Sequence, residues 1–338
     1  MSNTSLNPDL TLANSAAARR KSPVQPAELA GLLAAAALLV VAFRFSSIYL
    51  GQVLILFLIN AMLVMSFRLI TTMGGWSFAH VAFAAIGAYS MALLTTGQGW
   101  PFWPTLLVGT LASGVLALAL AYPVLRTREY NFFLATFAAS AAIQQSLIQF
   151  SDITGGQNGI AFIPRPTPLF GIDFVTTGGF FGLVLVVALL VTLILLAIDR
   201  SHIGKTIKAV AENEQLSETL GVHTWGYRTL AFVIGSSIAG AAGVLLGNFN
   251  GIVNPGDFGP AFMFKIVAAA IVGGTRTFTG PLLGLIMLTL LEELFRGAAQ
   301  YIPLLWGLSV IAALLFTKGG LEVVLAKAVA KLKGPRNA

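Results

Sequence analysis

The side chains that most often carry catalysis or metal binding are few here, and they form no established pattern. Gly204-Lys205-Thr206 imitates the end of a phosphate-binding loop, but that motif requires glycine where this chain has Asp199. The three histidines, His80, His202 and His223, lack metal-ligand spacing, and cysteine is absent. We therefore expect no ATP site, no metal site and no bound cofactor in this chain.

Polar chemistry concentrates instead in one segment, residues 199–228, which lies between two long apolar runs. Ser201 is placed to cap one helix and Asn213 to cap a second, with Gly221 just past the end of the second helix. Two capped helices predict an ordered loop that offers a surface to a partner. A solvated connector with helical propensity is the alternative, because long loops are either functional or disordered.

A stripe of three apolar residues supports the partner interpretation. Ile203, Ile207 and Val210 recur at helical spacing. The first helix of the segment is therefore expected to present a narrow apolar face to a partner or to the membrane surface.

The composition places these features in a membrane protein. The chain has 338 residues, of which 57% are apolar and 10% are charged, whereas soluble domains carry about 25% charged residues. Glycine occurs 35 times, which suits close helix approach and interrupted helices in lipid. A net charge of +7 would indicate nucleic acid in a soluble protein, but here it fits the cationic bias of cytoplasmic loops. We expect no nucleic-acid partner.

The fold class is therefore an all-α polytopic membrane protein with about ten transmembrane helices, some of them short or interrupted by Gly and Pro. Leu29–Phe43 follows Arg19, Arg20 and Lys21, as in a signal peptide, but it starts late and has no clear cleavage site, so it is interpreted as a retained first span. The predicted spans are 29–43, 48–67, 77–96, 103–123, 131–150, 180–198, 229–249, 262–275, 278–295 and 301–317.

Loop charges orient these spans. With the N-terminus inside, sixteen Lys and Arg residues fall on the inner side and four on the outer side, which predicts that both termini are cytoplasmic. The expected organisation is a disordered tail over 1–26, a transmembrane domain over 27–317 that contains the 199–228 loop, and a basic tail over 318–338 on anionic lipid. Spans 2–5 and 7–10 run in opposite directions, which permits an inverted repeat.

A few polar or flexible residues at membrane depth are candidates for a translocation path. They are Asn60, His80, Gln144, Gly273 and Gly274. An intramembrane histidine is a functional candidate by default, but His80 has no carboxylate nearby in sequence, and a hydrogen-bonded structural role is the favoured alternative. Glu292 and Glu293 precede Arg296 by four and three residues, the spacing of a local ion pair.

The outer loop 151–178 is a candidate docking surface or a simple connector. Its consecutive glycines and asparagine favour tight turns. The residues that could dock a partner there are Thr154, Gly155, Gly156, Asn158 and Arg165.

Several stretches together resemble one family, the LivM-like permease subunits of branched-chain amino acid ABC importers. They are GGWSFAHVAFAAIGAYS, REYNFFLATFA, TGGQNGIAFIPRP, DRSHIGKTIKAVAENEQLSETLGV, YRTLAFVIGSSIAGAAGVLLG and VGGTRTFTGPLLG, in family order over residues 74–296. Trp76 and Ala79 depart from the family's Gly-Gln-Leu/Ser-Leu-Gly-His run, and Thr275-Arg276-Thr277 departs from its second glycine-rich motif. Related permeases carry urea, short amides or aromatic acids, so these differences leave the solute open.

The resemblance implies a non-catalytic subunit of the bacterial cytoplasmic (inner) membrane. Its implied partners are a second homologous permease subunit, two ABC ATPase subunits that bind the ATP, and a periplasmic solute-binding protein. The 200–222 segment would couple to an ATPase. The implied coupling residues are Gly204, Lys205, Lys208, Ala209, Glu212, Asn213, Glu214, Leu220 and Gly221. A stand-alone secondary carrier and a non-transporting scaffold are the alternatives.

Overall fold

A computed structural model describes residues 26–127, 129–168, 171, 173–317 and 319–325. The expectations for the N-terminal tail over 1–26 and for the basic tail over 318–338 fall almost entirely outside the described residues. Only the start of the first helix and residues 319–325 can be compared with them.

The described residues confirm an all-α fold, in which each apolar run predicted to span the membrane coincides with a helix. The helices are α1 Pro26–Arg44, α2 Ile48–Thr71, α3 His80–Gln98, α4 Phe102–Leu125, α5 Glu129–Gln149, α6 Thr177–Arg200, α7 His202–Glu212, α8 Glu214–Thr219, α9 Thr224–Asn250, α10 Pro260–Gly273, α11 Gly280–Leu294 and α12 Ile302–Phe316. Short helical turns lie at Ser151–Thr154, Gly156–Asn158 and Pro255–Phe258, and a kinked helical stretch lies at Arg296–Tyr301.

Six helical segments within the described residues are long and apolar enough to cross a bilayer. They are α2, α3, α4, α6, α9 and the segment Pro255–Gly273, which includes α10. Ala30–Arg44 within α1 and the whole of α12 are apolar but shorter. The chain is thus a multi-pass membrane protein, while the number of about ten spans and the inverted repeat stay predictions.

Ion pairs and a hydrogen bond between helix ends show in which direction several of the helices run. Arg68, near the end of α2, pairs with Asp199 at the end of α6. Arg200 pairs with Glu28 at the start of α1. At the opposite end, the Tyr49 hydroxyl near the start of α2 donates to Glu293 at the end of α11. Helices α2 and α6 therefore run toward the first end, and α1 and α11 run away from it. After the roles that the sequence predicts for them, the two ends are called here the coupling end (Arg68, Asp199) and the outer end (Tyr49, Glu293).

Small residues allow the helices of the core to pack closely. Helix α9 packs against α2, α3 and α4. A methyl group added at Gly87 would lie 2.2 Å from the Gly240 carbonyl oxygen, and one at Gly243 would lie 1.9 Å from the Ala84 oxygen. These contacts bring α3 and α9 together backbone to backbone, which is how helices associate where lipid supplies no hydrophobic drive.

A short antiparallel pair closes the outer end. β1 (Ile160–Ala161) pairs with β2 (Ile252–Val253), with Ile160 opposite Val253. The pair ties the loop after α5 to the loop after α9. The segment predicted as an outer loop is thus held to the bundle.

Candidate functional site

A sharp corner joins α6 to α7 at the coupling end, and Ser201 makes it. Ser201 ends α6, and its hydroxyl accepts a hydrogen bond from the Gly204 amide at the start of α7. Gly204 is buried, and a methyl group there would lie 2.2 Å from the Ile198 carbonyl oxygen. Only glycine allows α7 to turn this closely onto the end of α6, so the two helices form one body.

A buried ionic cluster fixes α7 to two transmembrane helices. Asp199 Oδ1 lies 3.0 Å from Arg68 Nη1 and 2.9 Å from Lys208 Nζ. The side chain of Arg68 is only 4% exposed and that of Asp199 13% exposed. Lys208 belongs to α7, Asp199 to α6 and Arg68 to α2, so charge-assisted bonds join α7 to both of these longer helices.

The same arginine reaches the loop between α10 and α11. Arg68 Nε donates to the Thr277 carbonyl oxygen at 2.8 Å, and its guanidinium lies 5.4 Å from the Phe278 ring centroid. Glu322 in turn accepts from the backbone amides of Thr277 at 2.8 Å and Arg276 at 3.1 Å. The coupling network (Lys208, Asp199, Arg68, the 274–279 loop and Glu322) therefore connects α7 with α2, α6, α10 and α11.

The second short helix, α8, is capped as predicted. The Asn213 side chain accepts a hydrogen bond from Leu216 N at 2.9 Å, and Gly221 follows the helix with φ of +81°. Glu214 pairs with Arg228 of α9 at 3.1 Å, and Thr224 donates to Glu218 at 2.9 Å. These bonds attach α8 to the start of α9.

The predicted coupling residues divide into an inward and an outward set. Gly204 is buried, and Lys208 and Glu214 are partly buried in ion pairs. The exposed members are Lys205, Ala209, Glu212, Asn213, Leu220 and Gly221. Two leucines stand out in this surface, because Leu216 is 56% and Leu220 75% exposed.

The apolar stripe of Ile203, Ile207 and Val210 does not face a partner as a whole, which differs from the prediction. Ile207 and Val210 are each only 2% exposed and pack inward, so they hold α7 to the chain itself. Ile203 remains 40% exposed. The surface open to a partner, called here the coupling surface, consists of Ile203, Lys205, Ala209, Glu212, Leu216 and Leu220.

The polar path candidates lie in different surroundings and do not form one site. His80 is fully buried, and its Nε2 lies 3.1 Å from both Ser66 Oγ and the Leu63 carbonyl oxygen, so it holds α3 to α2. The Gln144 amide donates to the Pro255 carbonyl oxygen at 3.0 Å and anchors α5 at the outer end. Asn60 lines a cleft near the outer end of α2.

Gly273 and Gly274 form a tight crossing of α10 and α11. A methyl group at Gly273 would lie 2.1 Å from the Gly280 carbonyl oxygen. Gly274 has φ of +93°, and a methyl group there would lie 2.6 Å from the carboxyl carbon of Glu322. Both glycines therefore shape the coupling network, and their part in a path stays a prediction.

The five predicted docking residues of the outer loop divide between framework and surface. Thr154 is buried and donates to the Leu147 carbonyl oxygen at 2.6 Å, while Gly155 and Gly156 adopt φ of +75° and +58°. Asn158 is exposed, and Arg165 lies 4.9 Å from the Phe180 ring centroid. Partial burial lowers the pKa of the Arg165 guanidinium below its ordinary value.

The sequence interpretation missed one residue in this loop. Phe162 has φ of +60° and its side chain is 96% exposed. A bulky residue in the left-handed region is a conformational outlier, and such strain clusters at functional positions. No sequence signal distinguishes Phe162 from its neighbours, since the residue follows directly after β1 and its conformation is seen only in the folded chain.

Comparisons with known proteins agree with this architecture. Residues 49–317 match the model of the family described as branched-chain amino acid transport system / permease component. LivM of Escherichia coli K12, named a high-affinity branched-chain amino acid transport system permease protein, is 31% identical over 65% of this chain and 57% of its own length.

Two further relatives match over shorter stretches. LivH of Escherichia coli K12 is 37% identical over 28% of this chain and 30% of its own, and BraD of Pseudomonas aeruginosa is 37% identical over 29% and 31%. The match to LivM thus spans less than three-fifths of that relative. No solved structure matches significantly. With a family model that covers most of the described bundle, the chain belongs to the permease components of branched-chain amino acid transport systems.

Proposed function

We propose that this chain is the membrane-embedded, non-catalytic subunit of an ABC importer for branched-chain or related small amino acids. The observation that carries the proposal is the coupling network. An exposed surface on α7 and α8 is connected through Lys208, Asp199 and Arg68 to spans α2 and α6. A simple solvated connector would need neither a buried ionic junction nor a glycine-tight corner.

The coupling mechanism is mechanical. An ATPase subunit that seats on the coupling surface pushes α7 when ATP closes the nucleotide sites. Because α7 is joined to α6 at Ser201 and Gly204, and to α2 through Asp199, these helices move together with the α10–α11 crossing. The outer end then opens to receive solute.

The energy comes from partners. ATP is bound and hydrolysed by two ABC ATPase subunits, and this chain holds no cofactor of its own. A solute-binding protein delivers the amino acid at the outer end. The strained, exposed Phe162 and the exposed Asn158 are placed to meet it. In this arrangement ten helices cross the inner membrane and both termini are cytoplasmic.

Helix α5 faces the second permease subunit. Its outward residues in the outer half are small or amide-bearing, whereas those of α4 are large and aliphatic. Polar and small side chains favour helix–helix contact or a solute path over lipid. The exposed residues of α5 in question are Ala138, Ala141, Ala142, Gln145, Ser146 and Gln149. Those of α4 in the same half are Leu107 and Leu111.

Affinity purification of the full chain from its native host tests the proposal. We expect two copies of an ABC ATPase and one homologous permease to co-purify in mild detergent. A chain that purifies without any ATPase, yet transports solute in cells that lack ABC ATPases, would contradict it. That result would support a stand-alone carrier instead.

A further inference from the structure

A groove runs along the surface of the bundle between α10 and α12. Its larger cavity has a volume of about 490 Å³ and lies beside Ala261 and Trp306. A second cavity of about 310 Å³ lies at the coupling end, beside Gly274 and Arg276. Ile271 lines both, so the two cavities adjoin. From Ala261 to Ile271, α10 rises by about 15 Å, which is half of the ~30 Å hydrocarbon core of a bilayer.

The larger cavity is apolar and open. Aliphatic, aromatic and small residues of the two helices line it, and none of the described residues in its lining carries a charge. The N–H of the Trp306 indole already donates to Glu292. A methyl group added at Gly307 would meet nothing within 4 Å, so α12 leaves the space beside this glycine unfilled. Such a groove at membrane depth suits an extended hydrocarbon chain.

The coupling end of the groove carries hydrogen-bond donors instead. Trp76, Thr275 and Arg276 line the cavity there, and Arg276 is exposed. Within the part of the chain that the structure describes, the side chains of these three residues make no hydrogen bond or ion pair. An indole N–H, a hydroxyl and a guanidinium can all donate to phosphate oxygens, and the guanidinium does so with charge assistance.

The other charged residue in this part of the lining is already satisfied. Glu322 is only 6% exposed, and its carboxylate accepts from the Arg276 amide at 3.1 Å and from the Thr277 amide at 2.8 Å. Arg68 Nε donates to the Thr277 carbonyl oxygen of the same loop at 2.8 Å. These bonds fix the backbone of Arg276 while its guanidinium stays open to a ligand.

The donors lie in the two stretches that depart from the sequence pattern of the family. Trp76 precedes α3, and Thr275 and Arg276 precede α11, far apart in the sequence. The fold nevertheless places all three on one cavity. The polar mouth is therefore a feature of this chain, and the coupling network does not account for these side chains.

We propose that the groove binds one anionic phospholipid from the leaflet at the coupling end. Its phosphate accepts from Trp76, Thr275 and Arg276, and an acyl chain lies along α10 and α12. The inference needs only the membrane-embedded bundle and does not rest on the proposed function. An ATPase subunit at the coupling end is the other candidate partner of Arg276, but a soluble protein would leave the apolar part of the groove unfilled.

The first test uses the unaltered chain. The full chain is purified in mild detergent and stripped of lipid, and apparent dissociation constants are measured by native mass spectrometry. Dioleoylphosphatidylglycerol should bind at least fivefold more tightly than dioleoylphosphatidylcholine, the preference expected of one basic side chain near an anionic headgroup. It should bind at least tenfold more tightly than dioleoylglycerol, which lacks the phosphate, or glycerophosphoglycerol, which lacks the chains. Equal binding by any of the three analogues overturns the proposal.

Two variants locate the site. Arg276→Gln should weaken phosphatidylglycerol binding at least fivefold and abolish the preference over phosphatidylcholine. Arg126→Gln, at an exposed basic residue that follows α4 outside the groove, is its control and should do neither. Gly307→Leu should fill the groove and weaken both lipids at least fivefold. Gly182→Leu on α6 is its control, since a methyl group there also meets nothing within 4 Å. Unchanged lipid binding in either groove variant, eluting as a folded monodisperse protein, overturns the assignment.

Two further readouts separate lipid from protein partners. ATPase co-purification should be unchanged in Arg276→Gln. If it is lost while phosphatidylglycerol still binds normally, Arg276 belongs to the ATPase contact and the lipid inference is overturned, although the proposed function stands. Phosphatidylglycerol should also bind the chain equally well alone and in complex with its second permease subunit. Loss of binding in the complex would show that a protein helix covers the groove, which contradicts the proposal.

Discussion

At the scale of single residues, Gly204 is a position at which the structure leaves no room for a side chain. An added methyl group would lie 2.2 Å from the Ile198 carbonyl oxygen. We therefore expect Gly204→Ala to lower the free energy of unfolding by about 1–3 kcal/mol through overpacking and to reduce uptake. Gly182→Ala on α6 is the matched control, since a methyl group there meets nothing within 4 Å. Equal thermal stability of the two variants would contradict the corner geometry.

Arg68 is the residue on which the coupling network depends. Arg68→Met leaves Asp199 with Lys208 alone, 2.9 Å away. Leaving a buried charge with no partner is unfavourable by about 3–5 kcal/mol, so we expect a smaller loss of stability here. The double variant Arg68→Met/Asp199→Leu removes both buried charges, while Lys208, 39% exposed, reaches water. We expect the double variant to regain most of the thermal stability but not solute-stimulated ATPase activity. Stability losses that simply add would show that the two residues are not coupled.

At the scale of elements, α7 and α8 together present the coupling surface. Ala209 and Leu216 are both exposed. Ala209→Glu and Leu216→Asp should therefore leave membrane insertion and thermal stability unchanged, yet lower ATPase co-purification at least tenfold. Val175→Asp, which changes a 62% exposed residue at the outer end, is the control. If ATPase still co-purifies with both α7–α8 variants at the control level, the docking assignment is wrong.

Helix α5 offers a second test, aided by a chain without cysteine. Single cysteines at Gln145 and at Leu111, both exposed, are labelled with a maleimide–diazirine crosslinker and irradiated in membranes. The Gln145 site should crosslink to the second permease subunit, and the Leu111 site on α4 should reach only lipid. The reverse pattern would place the subunit interface on α4.

Local features of these elements could be predicted from sequence, and long-range ones could not. Both caps, Ser201 and Asn213, follow from side-chain chemistry within a few residues, and the structure confirms them. Arg68 and Asp199 are 131 positions apart in the sequence, so their pairing cannot be predicted from local spacing. Ile207 and Val210 were correctly placed on one helical face, but periodicity alone does not say whether that face meets the chain itself or a partner.

At the scale of the whole molecule, the composition and the apolar runs predict the all-α membrane fold that the described residues show. The Lys/Arg bias predicts the orientation of the spans, which stays a prediction. The structure adds that one end gathers Arg68, Asp199, Lys208 and the α10–α11 loop, while the Lys265–Glu292 ion pair and the Tyr49–Glu293 hydrogen bond lie toward the other. Under the proposed function, the first end receives force from the ATPase subunits. Between the two ends, α3 and α9 pack backbone to backbone at Gly87 and Gly243.

The central claim is that hydrolysis by partner subunits drives this chain through its coupling end. The most direct measurement is leucine uptake into proteoliposomes that contain the full chain with its second permease, with and without the ATPase subunits, in the presence of binding protein and ATP. We predict uphill uptake only when the ATPases are present, and its loss in Ala209→Glu. Uphill uptake by the chain alone, driven by an ion gradient, would contradict the account.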